Sequence, residues 1–198
     1  MFQNSHSAGF TLIELIVTLI MAAVLVTLAV PTFQGTVARN RISASVNDFV
    51  GAVSRARSES LKRHQPVSIT RTGANWMSGY TIFTDINGNG TLDPPDGFPP
   101  DDETIVTTTA IGGGNVDVEV LDGGDPINDG MTFLQSGFRN EEAGIPDWGS
   151  VILFCPPDDN DNLARVVHIS RTGRPASYTL TAAPFEGALP ADSLKCAP

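Results

Sequence analysis

Residues 9–31 read GFTLIELIVTLIMAAVLVTLAVP, an apolar run that contains a single charged side chain, Glu14, near its start. The 21 residues from Phe10 to Val30 are almost all apolar. A helix of that length spans about 31 Å, which matches the hydrocarbon layer of a bilayer. Cleavable secretory signals have apolar cores of only about 7–15 residues, followed by small residues at the cleavage site. No such site follows this run, so we expect a retained membrane anchor.

The carboxylate of Glu14 needs a counter-charge if this run lies in hydrocarbon. A lone charged side chain there costs several kcal/mol and is normally paired. No basic side chain lies within two helical turns of Glu14 in the sequence. We therefore expect its partner to come from another chain.

The net charge of the chain is negative and unevenly distributed. The 198 residues carry a formal charge of −10, which argues against a general nucleic-acid binder because phosphate binding needs Lys and Arg. Residues 39–71 carry seven basic and two acidic side chains, a net charge of +5. Residues 85–159 carry sixteen acidic side chains and one basic side chain, a net charge of −15. The length suits one domain plus an anchor, with a basic stem before an acidic head.

Beyond Pro31 the apolar residues recur at spacings of three and four, which predicts that the helix continues. The segment Gln65-Pro66 is a credible stop, because proline disfavours the helical conformation of the residue before it. The apolar stripe expected to face the head consists of Ile42, Val46, Phe49, Val50, Val53 and Leu61.

From Val67 the apolar period changes to two, which predicts strands separated by turns rich in Gly, Pro, Asn and Asp. Residues 116–120 (VDVEV) alternate most clearly. Residues 151–155 (VILFC) are apolar on both faces, so they should form a central strand. The predicted fold class is therefore α+β, with a long N-terminal helix packed on an antiparallel sheet. The predicted strands are 67–71, 79–84, 104–109, 116–120, 131–134, 151–155, 164–171 and 177–181.

The motif Gly9-Phe10-Thr11-Leu12-Ile13-Glu14 resembles the processing site of type IV prepilins and type II secretion pseudopilins. In that family a membrane peptidase cuts after the glycine and methylates the new N-terminal residue, which implies cleavage between Gly9 and Phe10. The resemblance also implies that Glu14 pairs with the amino group of Phe10 on a neighbouring subunit during assembly. Such a pair is far stronger in a low-dielectric bundle than in water. Pro31 matches the helix-kinking proline of pilins.

The same resemblance implies a pilin-like organisation of the chain. Residues 1–9 would be a leader that is removed, 10–31 the transmembrane and assembly helix, 32–65 its amphipathic continuation, and 66–198 a β-rich head. The leader MFQNSHSA has no Lys or Arg, unlike most prepilin leaders. Either this leader is atypical or the true start lies upstream.

Residues 165–174 (RVVHISRTGR) resemble the last strands of the GspH/FimT group of minor pilins and pseudopilins, which often carry a Ser-x-x-Gly-Arg turn and a late cysteine. Membership would place the head outside the cytoplasm, where disulfides persist. In that compartment we expect Cys155 and Cys196 to be joined rather than to be free thiols. The bond would hold the C-terminal tail to a central strand.

Some FimT-like proteins bind DNA in natural transformation through a Gly-Arg-x-Arg turn, and here residues 173–176 read GRPA, without the second arginine. Arg165, Arg171 and Arg174 could still form a small basic patch that makes weak, salt-sensitive phosphate contacts. The alternative is ordinary charge at strand ends, which we favour because the acidic head repels phosphate.

Residues 85–96 (DINGNGTLDPPD) fit the spacing of a calcium-binding loop, with oxygen ligands at alternating positions and an acid at the end. The flanks are a strand and prolines rather than helices, so a plain turn without metal is the alternative. The candidate ligands are Asp85, Asn87, Asn89, Thr91 and Asp96.

The sequence contains no nucleophile elbow, phosphate loop or metal triad, so no enzyme is predicted and, calcium apart, no cofactor. The resemblance implies a minor structural subunit of a type IV pilus, first in the bacterial inner membrane with a periplasmic head and then in the filament. Other pilins, the prepilin peptidase and the inner membrane are the predicted partners. Two alternatives stay open: the H-type minor pseudopilin of a type II secretion system, and a DNA-binding minor pilin in DNA uptake.

Overall fold

The chain forms two compact units, Met1–Ala38 and Arg39–Pro198. We call them the N-terminal unit and the head unit. The computed structural model describes residues 10–73, 76–93, 102–108, 111, 116–120, 130–140, 149–156, 162–180 and 196, with the backbone alone for 28–34, 117, 119 and 120.

A long helix, α1 (Leu12–Arg63), contributes residues to both units and includes Pro31. The helix therefore continues beyond the proline, as the apolar spacing predicts. It ends where His64 adopts a φ of 54°, the left-handed conformation that often follows a helix. Pro66 then disfavours a return of Gln65 to the helical region. The end lies two residues before the predicted stop.

Eight strands form in the part of the head unit that the structure describes, and each overlaps a predicted strand. Every paired strand is antiparallel to its neighbour. The strands are β1 (Val67–Arg71), β2 (Tyr80–Thr84), β3 (Thr104–Thr108), β4 (Asp117–Val120), β5 (Gly130–Phe133), β6 (Ser150–Cys155), β7 (Arg165–Ile169) and β8 (Pro175–Thr179).

The described strands pair into two four-stranded sheets, with the order β3-β2-β1-β5 in the first sheet and β4-β6-β7-β8 in the second. The α+β fold class, with a helix on antiparallel sheet, is confirmed, but the strands divide into two sheets where one was expected. The chain changes sheet after β3, β4 and β5. Apolar periodicity locates a strand and its buried face, but it does not say which strand pairs with which.

The main core of the head unit contains side chains from α1 and from both sheets. The Phe49 ring lies edge-on to the Trp76 ring, with centroids 5.2 Å apart, and 5.7 Å from the Phe154 ring. Truncation of a buried Phe to Ala typically costs about 3–5 kcal/mol, so these rings are a main source of stability. The stripe residues that are at most 3% exposed are Ile42, Val46, Phe49 and Val53, while Val50 is half-buried.

Leu61, the last residue of the predicted stripe, lies against the head but is 40% exposed. Its side chain lies against the turn at Gly137 and not against a sheet face. A Cβ atom added to Gly137 would be only 3.0 Å from Leu61 Cδ2. The apolar spacing along α1 does not distinguish a residue that faces a sheet from one that faces a turn. It also omitted buried small residues of the same helix, whose size lets α1 approach the sheets closely. These are Ser45, Ala52, Ala56 and Ser60.

Strand β6 is internal to the second sheet and buried along its whole length, as VILFC predicted. Ile152 and Phe154 belong to the main core, whereas Val151 and Leu153 belong to a second apolar cluster. Cys155 lies in that second cluster and is bonded to Cys196, with the two Cα atoms 5.6 Å apart. The predicted disulfide is therefore present and ties a late residue to this central strand.

Candidate assembly segment and head sites

Residues 10–27, which we call the assembly segment, expose almost all of their large apolar side chains. The exposed fractions range from 42% at Ile16 to 77% at Leu12. Burial of such a side chain is worth about 1.5–3 kcal/mol, so this surface is stable only where lipid or other chains cover it. The exposed set consists of Phe10, Leu12, Ile13, Leu15, Ile16, Val17, Leu19, Ile20, Met21, Val24, Leu25 and Val26.

The two threonines within the segment have their hydroxyls satisfied by the helix itself. Thr18 Oγ1 donates to the carbonyl of Leu15 at 2.9 Å, and Thr27 Oγ1 donates to the carbonyl of Val24 at 2.8 Å. Such bonds to the preceding turn are how helices place Thr in apolar surroundings. The outer surface of the segment is thus apolar apart from Glu14.

Thr11 caps the first turn of α1 and holds Glu14 at the third helical position. The Thr11 hydroxyl accepts the N–H of Glu14 at 3.3 Å, and the Thr11 carbonyl accepts the N–H of Leu15 at 3.2 Å. A Thr followed three residues later by Glu has the spacing of a capping box. A negative charge on the first turn also interacts favourably with the helix dipole. The sequence interpretation missed this role, although the Thr-x-x-Glu spacing signals it.

The Glu14 carboxylate has no hydrogen bond or ion pair within the described part of the chain. Phe10, at the predicted cleavage point, is 75% exposed, whereas Gly9 lies outside the described residues. Processing at Gly9, the assembly roles of Glu14 and Pro31, and the predicted domain boundaries stay predictions. Among the residues that the structure describes, none of the helices combines the length and the apolar character needed to cross a membrane.

In the predicted calcium loop, Asp85 is fully buried and its carboxylate accepts hydrogen bonds from four protein groups. Its Oδ1 accepts the N–H of Asn89 at 3.0 Å, and its Oδ2 accepts the N–H of Gly90 at 2.9 Å. Oδ2 also accepts the hydroxyls of Ser68 in β1, at 2.6 Å, and Thr132 in β5, at 3.2 Å. Asp85 therefore joins the loop to two strands of the first sheet.

The other predicted ligands in the loop also bond to protein groups. Asn87 Oδ1 accepts the N–H of Asn89 at 3.0 Å, and Asn89 Oδ1 accepts the N–H of Thr91 at 2.8 Å. Both Asn side chains donate to Asp93, at 2.6 and 3.2 Å. Buried Asp102, which was not predicted as a site residue, accepts the N–H groups of Ile86 and Asp93.

A calcium ion in this loop would have to displace several of these donors. Asp96 lies outside the described residues. In the described part of the chain, His, Cys, Asp and Glu side chains form no group of three or more that could hold a metal ion. Calcium binding stays a prediction.

The three predicted DNA-contact arginines are divided between the two ends of strand β7, and DNA binding stays a prediction. Arg165 begins β7, whereas Arg171 and Arg174 lie in the turn after its other end. A five-residue strand extends about 13 Å from its first Cα atom to its last, so Arg165 is separated from the other two. The turn is held by its own main chain, because Arg174 and Ser170 exchange hydrogen bonds and Gly173 N–H donates to the Ser170 carbonyl at 2.8 Å.

Two family models match the chain. The model described as a prokaryotic N-terminal methylation motif covers residues 4–30. The model described as type II transport protein GspH covers residues 45–173, more than half of the chain. The chain belongs to the GspH family. The first match contains the GFTLIE motif and the second ends at Gly173, so the predicted relation to the GspH/FimT minor pilins is confirmed.

Solved structures similar to this GspH-family chain include two crystal forms of the Pseudomonas aeruginosa PAO1 type IV minor pilin FimU. The first, in space group P21, has a TM-score of 0.54 at 17% identity and covers 74% of this chain and 94% of FimU. The second, in space group P65, has a TM-score of 0.51 at 16% identity and covers 72% and 96%. At this identity the likeness shows a shared fold. No curated protein matches the chain in sequence.

In this GspH-family member the Ser-x-x-Gly-Arg turn packs against the turn after β5. Gly173 has a φ of 73°, and a Cβ there would lie 2.7 Å from the carbonyl oxygen of Gly137. Arg57 of α1 donates through Nε to the same carbonyl at 2.9 Å. The N–H of Arg139 donates to the Arg171 carbonyl at 3.1 Å. The glycine in the turn is thus required for packing, and sequence reasoning missed Arg57 because its partner is 80 residues away.

Proposed function

We propose that this GspH-family chain is a minor, pilin-like structural subunit of a type IV pilus, processed between Gly9 and Phe10 and assembled through its N-terminal helix. Before assembly it is anchored in the inner membrane with its head in the periplasm. One observation carries the proposal: a capped first turn presents the Glu14 carboxylate on a segment whose surface is otherwise apolar.

The charge on Glu14 explains how assembly would fix the position of each subunit along the filament. Cleavage before Phe10 creates an amino group at the N-terminal end of α1, where the helix dipole is positive and opposes a second positive charge. A carboxylate from an adjacent subunit relieves this repulsion. In a low-dielectric bundle the attraction between the two charges is much stronger than in water.

The apolar side chains of the rest of the segment favour burial, but they do little to fix the axial position of one subunit against the next. Its apolar side chains gain free energy wherever lipid or other helices cover them. The hydroxyls of Thr18 and Thr27 are already bonded to their own helix. Glu14 is therefore the side chain best suited to define axial register.

The H-type minor pseudopilin of a type II secretion system is the second candidate, and the description of the matched GspH model favours it. Both candidates would be processed at the same site and assembled through the same helix. They differ in the apparatus to which the subunit belongs, a pilus or a secretion system. Neighbouring genes separate them: secretion genes beside this one would favour the pseudopilin.

The first test is the mature N-terminus of the full chain, co-expressed with a prepilin peptidase and measured by mass spectrometry. We expect N-methyl-Phe10 as the first residue. An intact Met1, or a cut near Pro31, would contradict the proposed processing.

The second test separates processing from assembly in a host that forms the filament. Glu14→Gln keeps the size of the side chain and removes its charge, so we expect normal cleavage but at least tenfold less subunit in sheared filaments. Thr18→Val is the matched control on the same helix and should assemble normally. Equal incorporation of Glu14→Gln and wild type would exclude Glu14 as the register element.

A further inference from the structure

The loop after β2 contains two consecutive Asn-Gly steps, Asn87-Gly88 and Asn89-Gly90. Both asparagines are exposed. Glycine has no Cβ to shield its main-chain nitrogen, so this nitrogen can attack the side-chain carbonyl carbon of the asparagine before it. An exposed Asn-Gly step is therefore open to spontaneous deamidation wherever the fold does not restrain the reacting groups.

Deamidation of an asparagine needs only water as a co-reactant. The main-chain nitrogen of the following glycine forms a bond to Cγ of the asparagine, and its proton leaves with the side-chain nitrogen as ammonia. Water then opens the resulting cyclic imide to aspartate or isoaspartate, with no change in oxidation state. The rate at each step therefore depends on two groups, the glycine N–H and the side-chain amide of the asparagine.

The attacking nitrogen is held more firmly at Asn89 than at Asn87. The Gly90 N–H donates to Oδ2 of the buried Asp85 carboxylate at 2.9 Å. Loss of that proton would place a negative nitrogen beside a carboxylate, and like charges disfavour this state. The Gly88 N–H donates to a neutral group, the main-chain carbonyl of Asp85, at 3.2 Å. The Gly88 proton is therefore the easier of the two to lose.

The side-chain amides of the two asparagines are also held differently. Asn87 Nδ2 donates to Asp93 Oδ2 at 2.6 Å, and Asn89 Nδ2 donates to the same oxygen at 3.2 Å. Asn89 Oδ1 also accepts the N–H and the hydroxyl of Thr91, at 2.8 and 2.7 Å. Asn89 is thus restrained at its side chain and at the attacking nitrogen, whereas the restraint on Asn87 comes chiefly from Asp93.

We propose that Asn87 is a site of spontaneous deamidation whose rate Asp93 restrains, and that Asn89 is protected by Asp85. Release of the bond to Asp93 frees the Asn87 side chain to turn toward the weakly held Gly88 nitrogen. At Asn89 the attacking nitrogen stays bonded to Asp85 even when the side chain is free.

Deamidation at Asn87 would loosen the loop. The new carboxylate would face that of Asp93, where a hydrogen bond now joins the two side chains, and two like charges at this separation repel. An isoaspartate product would also lengthen the main chain of the loop by one carbon atom. The loop would lose this closing contact, while Asp85 would still hold it to β1 and β5.

The test incubates the full chain in detergent micelles, in mildly alkaline buffer, and follows deamidation at each asparagine by mass spectrometry. Chymotrypsin cuts after Phe83 and Leu92, and the peptide between these cuts contains both sites. In the folded wild type, Asn87 should react about five- to tenfold faster than Asn89, the ratio expected for a nitrogen bonded to a neutral rather than a charged acceptor. In guanidinium chloride both should react faster and at similar rates.

A matched pair of variants tests the role of Asp93. Asp93→Asn keeps the size of the side chain and removes its charge, and it creates no new site because Pro94 has no N–H. It should raise the rate at Asn87 about two- to tenfold, since a neutral acceptor bonds less strongly, and raise the rate at Asn89 less. Asp48→Asn makes the same change at an exposed position on α1 and should leave both rates unchanged.

A rate at Asn89 equal to or above that at Asn87 in the folded wild type would overturn the proposal. An unchanged rate at Asn87 in Asp93→Asn, or an equal rise in Asp48→Asn, would do the same. The fluorescence of buried Trp76 shows whether each variant stays folded. If Asp93→Asn unfolds, the wild-type ratio, measured against the same chain in guanidinium chloride, decides by itself.

Discussion

The two ends of helix α1 use apolar side chains in opposite ways. Leu12, in the N-terminal unit, is 77% exposed, whereas Phe49, in the head unit, is fully buried. Around residues 42–56 the apolar residues form one stripe that the sheets cover, while in residues 12–26 they occur on every side of the helix. A helix that is apolar all round must be covered by lipid or by other chains.

Polar groups differ between the same two units. In the N-terminal unit, Thr18 bonds to a carbonyl three residues away. In the head unit, Ser68 and Thr132 bond to Asp85, which lies 17 and 47 residues away from them. Hydrogen bonds of the first kind form with the helix and need no tertiary structure, whereas those of the second kind exist only in the folded head. Loss of the bonds from Ser68 and Thr132 to Asp85 should therefore lower the stability of the head unit, whereas loss of the Thr18 bond should leave it unchanged.

The largest expected effect is that of Asp85→Ala. It would leave buried donors without an acceptor, so we expect the free energy of unfolding of the head to fall by about 3–5 kcal/mol. Denaturant unfolding of the full chain in detergent, followed by the fluorescence of buried Trp76, measures it. Asp48→Ala removes an exposed carboxylate and Leu19→Ala an exposed apolar side chain. Each control should change the stability by less than about 0.5 kcal/mol.

These measurements test whether long-range polar bonds stabilise the head unit and whether the exposed N-terminal segment contributes nothing to that stability. A loss below about 1 kcal/mol for Asp85→Ala would mean that solvent replaces its bonds and that the head does not depend on this network. A large loss for Leu19→Ala would mean that the exposed segment contributes to head stability, contrary to the division into two units.

The next effect is removal of the disulfide. Cys155 and Cys196 are separated by 41 residues, and closure of such a loop is worth about 4 kcal/mol in the chain-entropy model, of which about 2–4 kcal/mol is commonly realised. The double variant Cys155→Ala, Cys196→Ala should lower the unfolding free energy by that amount. Reduction of the wild type should produce the same loss. If neither treatment changed the denaturation midpoint, the bond would not stabilise the head.

The smallest effect is expected at the end of α1, where Arg63 bonds to Glu59 at 2.9 Å and to Glu103 at 2.8 Å. The hydrogen bond from Arg63, followed by the charge of Lys62, lowers the pKa of Glu59 below its ordinary value of 4.5. Because the pKa is lower in the folded state, the stabilisation is present above about pH 4.5 and is lost as the pH falls through the folded pKa. Glu103 is largely exposed, so solvent screens its pairing with Arg63.

A double-mutant cycle with Glu59→Gln and Arg63→Gln should give a coupling free energy of about 0.3–0.5 kcal/mol at neutral pH. The coupling should vanish at a pH well below the folded pKa of Glu59. A coupling that persisted in acid would show that the pair is not electrostatic.

The predictions from sequence succeeded where the signal is local. Spacings of three and four located the buried face of α1, and spacings of two located all eight described strands. VILFC was correctly placed as an internal strand because both of its faces are apolar. The GFTLIE motif indicated the family, which the matched models confirm. The N-cap at Thr11 was equally local and could have been predicted.

Sequence patterns were insufficient where distant segments meet. Leu61 has the right spacing for the core, but the segment opposite it is the turn at Gly137. Arg165, Arg171 and Arg174 are close in sequence, yet an extended strand separates the first from the others. The calcium template describes oxygen atoms along the loop, but in the fold Asp85 also bonds to Ser68 and Thr132.

The residues alone were enough to establish the helix, the strands, the apolar segment with its lone carboxylate, and the family. These properties depend on side-chain period and on short motifs, which act over a few residues. The division of the strands into two sheets and the burial of Asp85 were decided by the tertiary structure. Each depends on which distant segments come together, and strand pairing follows from the packing of the whole head, which no local pattern encodes.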